Sequence, residues 1–295
     1  MRHRTHYAYE APVAVCQNQL RMRPRNLPLV EVHRSDTSIT PTPDTRESHI
    51  DYFGNEVETF SIEALHDSLL VEIDSEVTVR PIAPQQTGRK VAWTEIAERL
   101  RRPVISDLLD VGEFAYPSPR IPINDEVRKF AEQSFQQHPT LIDAAVDLTK
   151  RIHQEFEYNS HATHVDTTVQ EAFRLRAGVC QDLAQIQIAC LRSMGLAARY
   201  VSGYLRTVPP DGQEKLVGAD ESHAWLSLFV GRDEGWLDLD PTNGCIASVD
   251  HIPICFGRDY FDVSPMRGVA IGGGQAALSV NVDVRRLEPD STPLP

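Results

Sequence analysis

A cysteine at the start of a helix is a candidate nucleophile, and Gly178-Val-Cys180-Gln-Asp182 runs directly into a helical pattern. Leu183, Ile186, Cys190, Leu191 and Met194 recur at the spacing of one buried helix face, with Gly195 as its stop. The first turn of a helix leaves backbone N–H groups unpaired and carries the positive end of the macrodipole. Both favour a thiolate over a thiol and offer donors to a developing oxyanion. Asp182, in that first turn, is placed to stabilise the dipole.

A nucleophilic sulfur needs a base and a group that orients the base, and two later segments supply candidates. His223-Ala-Trp225-Leu-Ser227-Leu-Phe229-Val and Trp236-Leu-Asp238-Leu-Asp240 alternate with the period of a strand. His223, Trp225, Ser227 and Phe229 share one face, as do Trp236, Asp238 and Asp240. Gly231-Arg-Asp-Glu-Gly235 reads as the hairpin between them, which sets His223 level with the end of the second strand and within reach of an aspartate. Singly, these residues are ordinary: a histidine beside a tryptophan is usually a core residue, and Asp before Pro241 a turn residue. Together, in this order, they make a nucleophile, a base and an orienter. Tyr158, Asn159, His161, His164 and Trp225 are expected to line the cleft. His161-x-x-His164 has the look of a metal pair, but two ligands in a loop are too few, so no metal site is expected.

The elements that must position these residues fall into three stretches. Residues 1–82 hold short β-rich segments at Thr5–Tyr9, Val13–Met22, Val32–Ile39, His49–Tyr52, Val57–Ile62 and Leu69–Val79, separated by turn signals such as Phe53-Gly54-Asn55. They suggest a small antiparallel sandwich. Residues 83–122 form a proline-rich connector with one short amphipathic helix, Thr94–Leu100. Its Trp93, Leu108, Leu109, Phe114 and Tyr116 are too apolar for a free linker, so it should pack across both domains. Residues 123–295 read as helices followed by an antiparallel sheet, the α+β order, with Asn124 or Asp125 capping one helix and Thr168-x-x-Glu171 forming a capping box. A loop and a final strand, Leu278–Val284, end this domain.

Composition sets outer bounds. A net charge of -13 argues against a nucleic-acid partner, which needs a basic surface. The N-terminus has no apolar leader and no run of about 18 apolar residues occurs, so neither export nor a membrane is expected. Five scattered cysteines without C-x-x-C spacing suit reduced thiols, and the expectation is a cytoplasmic protein. Nothing in the sequence sets an oligomeric state.

Several segments carry a family resemblance over nearly the whole chain: Gly178-Val-Cys180-Gln-Asp182, Gly195-Leu-Ala-Ala-Arg-Tyr-Val-Ser-Gly-Tyr204, Ser222-His223-Ala-Trp225, Gly235-Trp236-x-x-x-Asp240-Pro-Thr-Asn-Gly244 and Gly257-Arg-Asp-Tyr-x-Asp262-Val-x-Pro265. They resemble the bacterial transglutaminase-like family, a branch of the papain-like cysteine-nucleophile superfamily. The first third is similar to the family's N-terminal β domain, through Tyr7-x-Tyr9 with Pro12, Leu20-Arg-Met-Arg-Pro24 and Asp51-Tyr-Phe-Gly-Asn55. The resemblance implies an α+β papain-like core and a triad of Cys180, His223 and Asp240, leaving Asp238 as the lesser alternative.

It also implies acyl transfer through a thioester, on a protein or peptide substrate, with no cofactor. The family contains proteases, amide hydrolases and cross-linking enzymes, so the acceptor is open. Water needs no binding site, which makes hydrolysis the expected default and transfer to an amine the alternative. A scaffold that has kept the fold and lost turnover is the rival of another kind. No calcium loop is apparent.

Overall fold

The computed structural model describes residues 1–82, 90–102, 108–207 and 221–287. The chain begins with one long strand, β1 (Arg2–Leu20), where the sequence suggests two. Then come β2 (Val30–Thr40), β3 (Thr45–Ile50), β4 (Glu56–Ile62) and β5 (His66–Val79). The first half of β1 pairs with β5, which pairs with β2, and the second half pairs with β4, which pairs with β3. The sheet thus doubles over along β1 as a sandwich-like layer. Val13, Cys16, Leu20, Phe60, Ile62, Leu69, Val71 and Ile73 fill it. Their burial is why period-two segments of otherwise polar composition hold together here.

The connector helix α1 (Trp93–Arg101) falls where the pattern places it, followed by the short α2 (Leu109–Gly112). Residues 83–89 and 103–107 of the connector lie outside the described residues. Phe114 does span the two domains, its ring 6.0 Å from Phe53 and 5.5 Å from Trp236. Leu109 and Tyr116, expected to pack likewise, are exposed.

The second domain is α+β. Helices α3 (Asp125–Gln137), α4 (Leu141–Glu155) and α5 (Val169–Leu175) precede α6 (Cys180–Ser193). Asn124 caps α3 through Val127 N at 3.0 Å, and Thr168 and Glu171 form the capping box of α5. Between them, β6 (Glu157–Tyr158) and β7 (Ala177–Gly178) pair in parallel. An antiparallel sheet of order β11-β10-β9-β8-β12 follows, made of β8 (Ala198–Leu205), β9 (Glu221–Gly231), β10 (Gly235–Asp240), β11 (Cys245–Ile246) and β12 (His251–Gly257). A single turn, α7 (Tyr260–Val263), leads out of it.

Three features depart from the sequence reading. Helix α6 is not half-exposed: every residue from Asp182 to Arg192 is buried, because α3, α4 and α5 enclose it on one side and β8 and β9 on the other. Some of its polar groups find partners inside, while the side-chain oxygens of Gln185 and Gln187 are buried without one. Gln187 donates to Thr149 Oγ1 at 2.7 Å, and the Arg192 guanidinium reaches the carbonyls of Phe114, Ala198 and Arg258. Strand β12 has no counterpart in the expected elements. And the tail leaves the domain it was assigned to: β13 (Met266–Gly272) and β14 (Ala276–Asp283) lie along the two halves of β1, joined by Gly272, Gly273 and Gly274, all at positive φ. No described helix is long and apolar enough to cross a membrane.

Candidate active site

Cys180 opens α6 and is partly exposed. The turn before it is fixed by Asp182, whose carboxylate folds back to accept Val179 N at 2.9 Å and Thr163 Oγ1 at 2.7 Å. Gly178 is glycine because a Cβ there would lie 2.7 Å from Asp182 Oδ2. Burial pushes the Asp182 carboxyl up, and the two hydrogen bonds only partly oppose this. Asp182 therefore does more than complement a dipole: it locks the turn that presents the sulfur.

His223 stands near the start of β9, buried, with Nε2 2.8 Å from Asp240 Oδ2. Cys180 is its second polar neighbour, and their interaction is among the causes that raise the His223 pKa. Burial alone would lower the pKa of His223. The interactions with Asp240 and Cys180 outweigh it and raise the value from 6.5 to about 10. Asp240 is fully buried, which by itself would favour the neutral acid, yet donors from His223 and His251 hold it well below the usual carboxylate range. Five donors converge on it. Oδ2 takes His223 Nε2, His251 Nε2 at 2.9 Å and Asn243 Nδ2 at 2.7 Å, while Oδ1 takes the backbone N–H groups of Thr242 and Asn243.

Asp238 has a different task. It accepts Trp225 Nε1 at 3.0 Å and the Ser227 hydroxyl, and it does not touch His223. Trp225, expected on the cleft wall, is fully buried and corrects that expectation. It packs behind the site, edge to face with His251 at 5.2 Å and 6.0 Å from the His223 ring. Room for it comes from Gly203, where a Cβ would overlap both the Trp225 ring and the Ile252 carbonyl oxygen.

The remaining cleft candidates lie on the rim. Tyr158 pairs with Gly178 across β6 and β7, and Asn159 N donates to Gly178 O at 3.0 Å, so both sit beside the Cys180 turn. Tyr158 is half-exposed. His161 and His164 are exposed in the following loop, where Asn159 Oδ1 accepts His161 N and Thr167 Oγ1 accepts His164 N. Among the described residues, no hydrogen bond, ion pair or ring contact joins these two histidines to Cys180, His223 or Asp240.

His251 and Asn243 were not singled out from sequence. Asn243 belongs to the Asp240-Pro-Thr-Asn-Gly244 segment that carries the family resemblance, in which only Asp240 has an expected role. His251 gave none: it opens a strand buried on both faces, with no alternation and with Pro253 inside it. The ligand atoms of His223, Asp240 and His251 lie within 4.8 Å of one another. Their chemistry is that of a hydrogen-bonded cluster. His251 Nδ1 accepts Ser248 N at 3.1 Å, so Nε2 carries the proton that faces Asp240, and a metal there would have to displace it against the Ser248 N–H.

A cysteine at a helix start, a strand histidine and a buried aspartate, in an α+β core behind a β domain, define the papain-like class of architecture. The chain belongs to the bacterial transglutaminase-like family. Residues 1–78 match the bacterial transglutaminase-like N-terminal region and residues 128–241 the transglutaminase-like superfamily. The uncharacterized protein Rv2569c of Mycobacterium tuberculosis is 36% identical over 295 residues, covering 98% of this chain and 93% of its own. ML0607 of Mycobacterium leprae is 33% identical, with 97% of each chain covered. Among solved structures, a Cytophaga hutchinsonii protein described as a candidate cysteine protease shares the fold, with a TM-score of 0.74 at 21% identity over 99% of this chain and 93% of that one.

Proposed function

We propose that the protein is a cysteine-nucleophile enzyme that opens amide or peptide bonds through a thioester on Cys180, with water as the principal acceptor. The observation that carries this reading is the position of His223, hydrogen-bonded to Asp240 and close enough to Cys180 for the two to interact electrostatically. Cys180 Sγ attacks the carbonyl carbon while the N–H groups of the first turn of α6 stabilise the oxyanion. The C–N bond breaks as His223 passes its proton to the leaving amine. Water then attacks the thioester, His223 takes the water proton, and the carboxylic acid leaves with Cys180 restored. The raised pKa of His223 keeps a proton available for the leaving group at neutral pH. Asp240 holds the ring in the tautomer and orientation that both steps need.

Hydrolysis is favoured over amine transfer because transfer wins only where an amine is held in near-attack geometry, and among the described residues no feature of the site supplies a dedicated amine pocket. The acidic surplus of the chain would admit a cationic amine as a minor acceptor. A protein or peptide substrate, a cytoplasmic location and no nucleic-acid or membrane partner belong to the same proposal. The test is a peptide library screened for turnover, then repeated with millimolar primary amine and the products partitioned by mass. Free acid should dominate. A dominant amine adduct would make the protein a transferase.

A further inference from the structure

Asp240 Oδ2 is shared by two imidazoles, and only one of them faces the sulfur. The second, His251, opens β12 at the edge of the catalytic sheet and is 5% exposed. Its Nε2 lies 2.9 Å from the same oxygen that His223 reaches at 2.8 Å. Three restraints fix its ring: Ser248 N donates to Nδ1, Trp225 packs against it edge to face, and β12 pairs with β8 through His251 and Leu205. The far end of β12 is tied in turn, since Asn55 of the first domain donates to Phe256 O at 2.8 Å and accepts Phe256 N at 2.9 Å.

We infer that His251 is a positioning residue for the cysteine nucleophile, acting through Asp240 on His223. This deepens the proposed function and rests on it. A carboxylate oxygen that accepts several hydrogen bonds is a weaker base than one that accepts a single bond, because each donor stabilises its charge. By donating to Oδ2, His251 keeps Asp240 anionic and fixed in plane, and it limits how tightly that oxygen holds the imidazolium of His223. His223 can then give its proton to a leaving group rather than keep it. Loss of the donor would leave the oxygen more basic and His223 more reluctant to deprotonate.

Among the described residues, the titratable groups around the cluster come from five elements: Cys180 of α6, His223 of β9, Asp238 and Asp240 of β10, Cys245 of β11 and His153 of α4, which bonds to Thr242 O at 2.8 Å. Asp250, next to His251, is paired with Arg206. None of them supplies a second imidazole N–H to Oδ2.

The experiment is the pH profile of Cys180 alkylation by iodoacetamide, followed by mass spectrometry, in wild type, His251→Leu and His251→Gln. It needs no substrate. The wild type should show an upper inflection where His223 loses its proton. In His251→Leu, which keeps bulk but not the donor, that inflection should move up by about half a pH unit or more. In His251→Gln, whose Nε2 can donate, it should return toward the wild-type position. A folded His251→Leu with an unchanged inflection would overturn the inference and leave the proposed function standing. A wild type without preferential reaction at Cys180 would take down both. Should the Leu variant fail to fold, nitrogen-15 spectra of histidine-labelled wild type decide. His251 must carry its proton on Nε2 and none on Nδ1 at pH 7, and the opposite tautomer overturns the inference.

Discussion

Asp238 and Asp240 stand two residues apart on one face of β10, and their hydrogen bonds separate their tasks. Asp240 holds His223, whereas Asp238 holds Trp225 and Ser227. Replacing Asp240 by Asn offers His223 an amide that can present N–H instead of an acceptor, so turnover of a peptide substrate should fall by roughly 10²- to 10⁴-fold, with some loss of stability because the amide NH2 then faces N–H donors. Asp238→Asn should cost stability through Trp225 and far less turnover. A larger kinetic loss at Asp238 would reverse the two roles. The sequence made both aspartates visible, because alternation fixes a face without fixing which carboxylate meets the histidine. It misplaced Trp225 for the same reason: the tryptophan does share the face of His223, but that face is covered by Val201, Phe256 and Leu27.

At the scale of elements, the helix that presents Cys180 was legible because caps and periodicity are local signals. Thr168, Asn124 and Gly195 each act where the spacing places them. Strand β12 was not, because a strand buried on every residue shows no alternation, and Pro253 sits at an irregularity of an edge strand where a missing N–H is tolerated. The packing of β8, β9 and β12 meets at Gly203. Gly203→Ala would press a methyl group into the Trp225 ring and the Ile252 carbonyl, neither of which can move freely. A loss of roughly 3 kcal/mol is expected in chemical denaturation, at the upper end for overpacking. A change under about 0.5 kcal/mol, the size of an ordinary surface substitution, would mean that Trp225 is not held as described.

The two domains of the whole molecule are joined by contacts that no local pattern announces. Strands β13 and β14 run back along β1, some 250 residues earlier in the chain, and nothing in their own sequence names that partner. His3 of β1 is buried against the sheet of the second domain, its Nδ1 2.7 Å from Tyr204 Oη and its Nε2 2.8 Å from Thr5 Oγ1. Burial lowers its pKa from 6.5 to about 4. The folded protein therefore keeps His3 neutral while the unfolded chain takes up a proton below about pH 6.5. This contribution to stability is complete above that pH and is lost as the pH falls toward 4, by about 3 kcal/mol in all. His3→Asn retains a donor for Tyr204 and cannot titrate, so its denaturation midpoint should fall less between pH 7 and 4.5 than that of the wild type. Parallel decline would remove His3 from the acid response.

Reactivity of one sulfur among five is the most direct test of the central claim, that His223 makes Cys180 a nucleophile. The other four are suppressed by their surroundings. Burial raises Cys190 and Cys255 to about 12, burial and the charge of Asp240 raise Cys245 to about 11, and burial raises Cys16 as well. Native protein is treated with limiting iodoacetamide at pH 7, digested and mapped, alongside His223→Ala. Cys180 should be alkylated first in the wild type and lose that preference in the variant. Uniform labelling of the five cysteines, or the same preference without His223, would contradict the account.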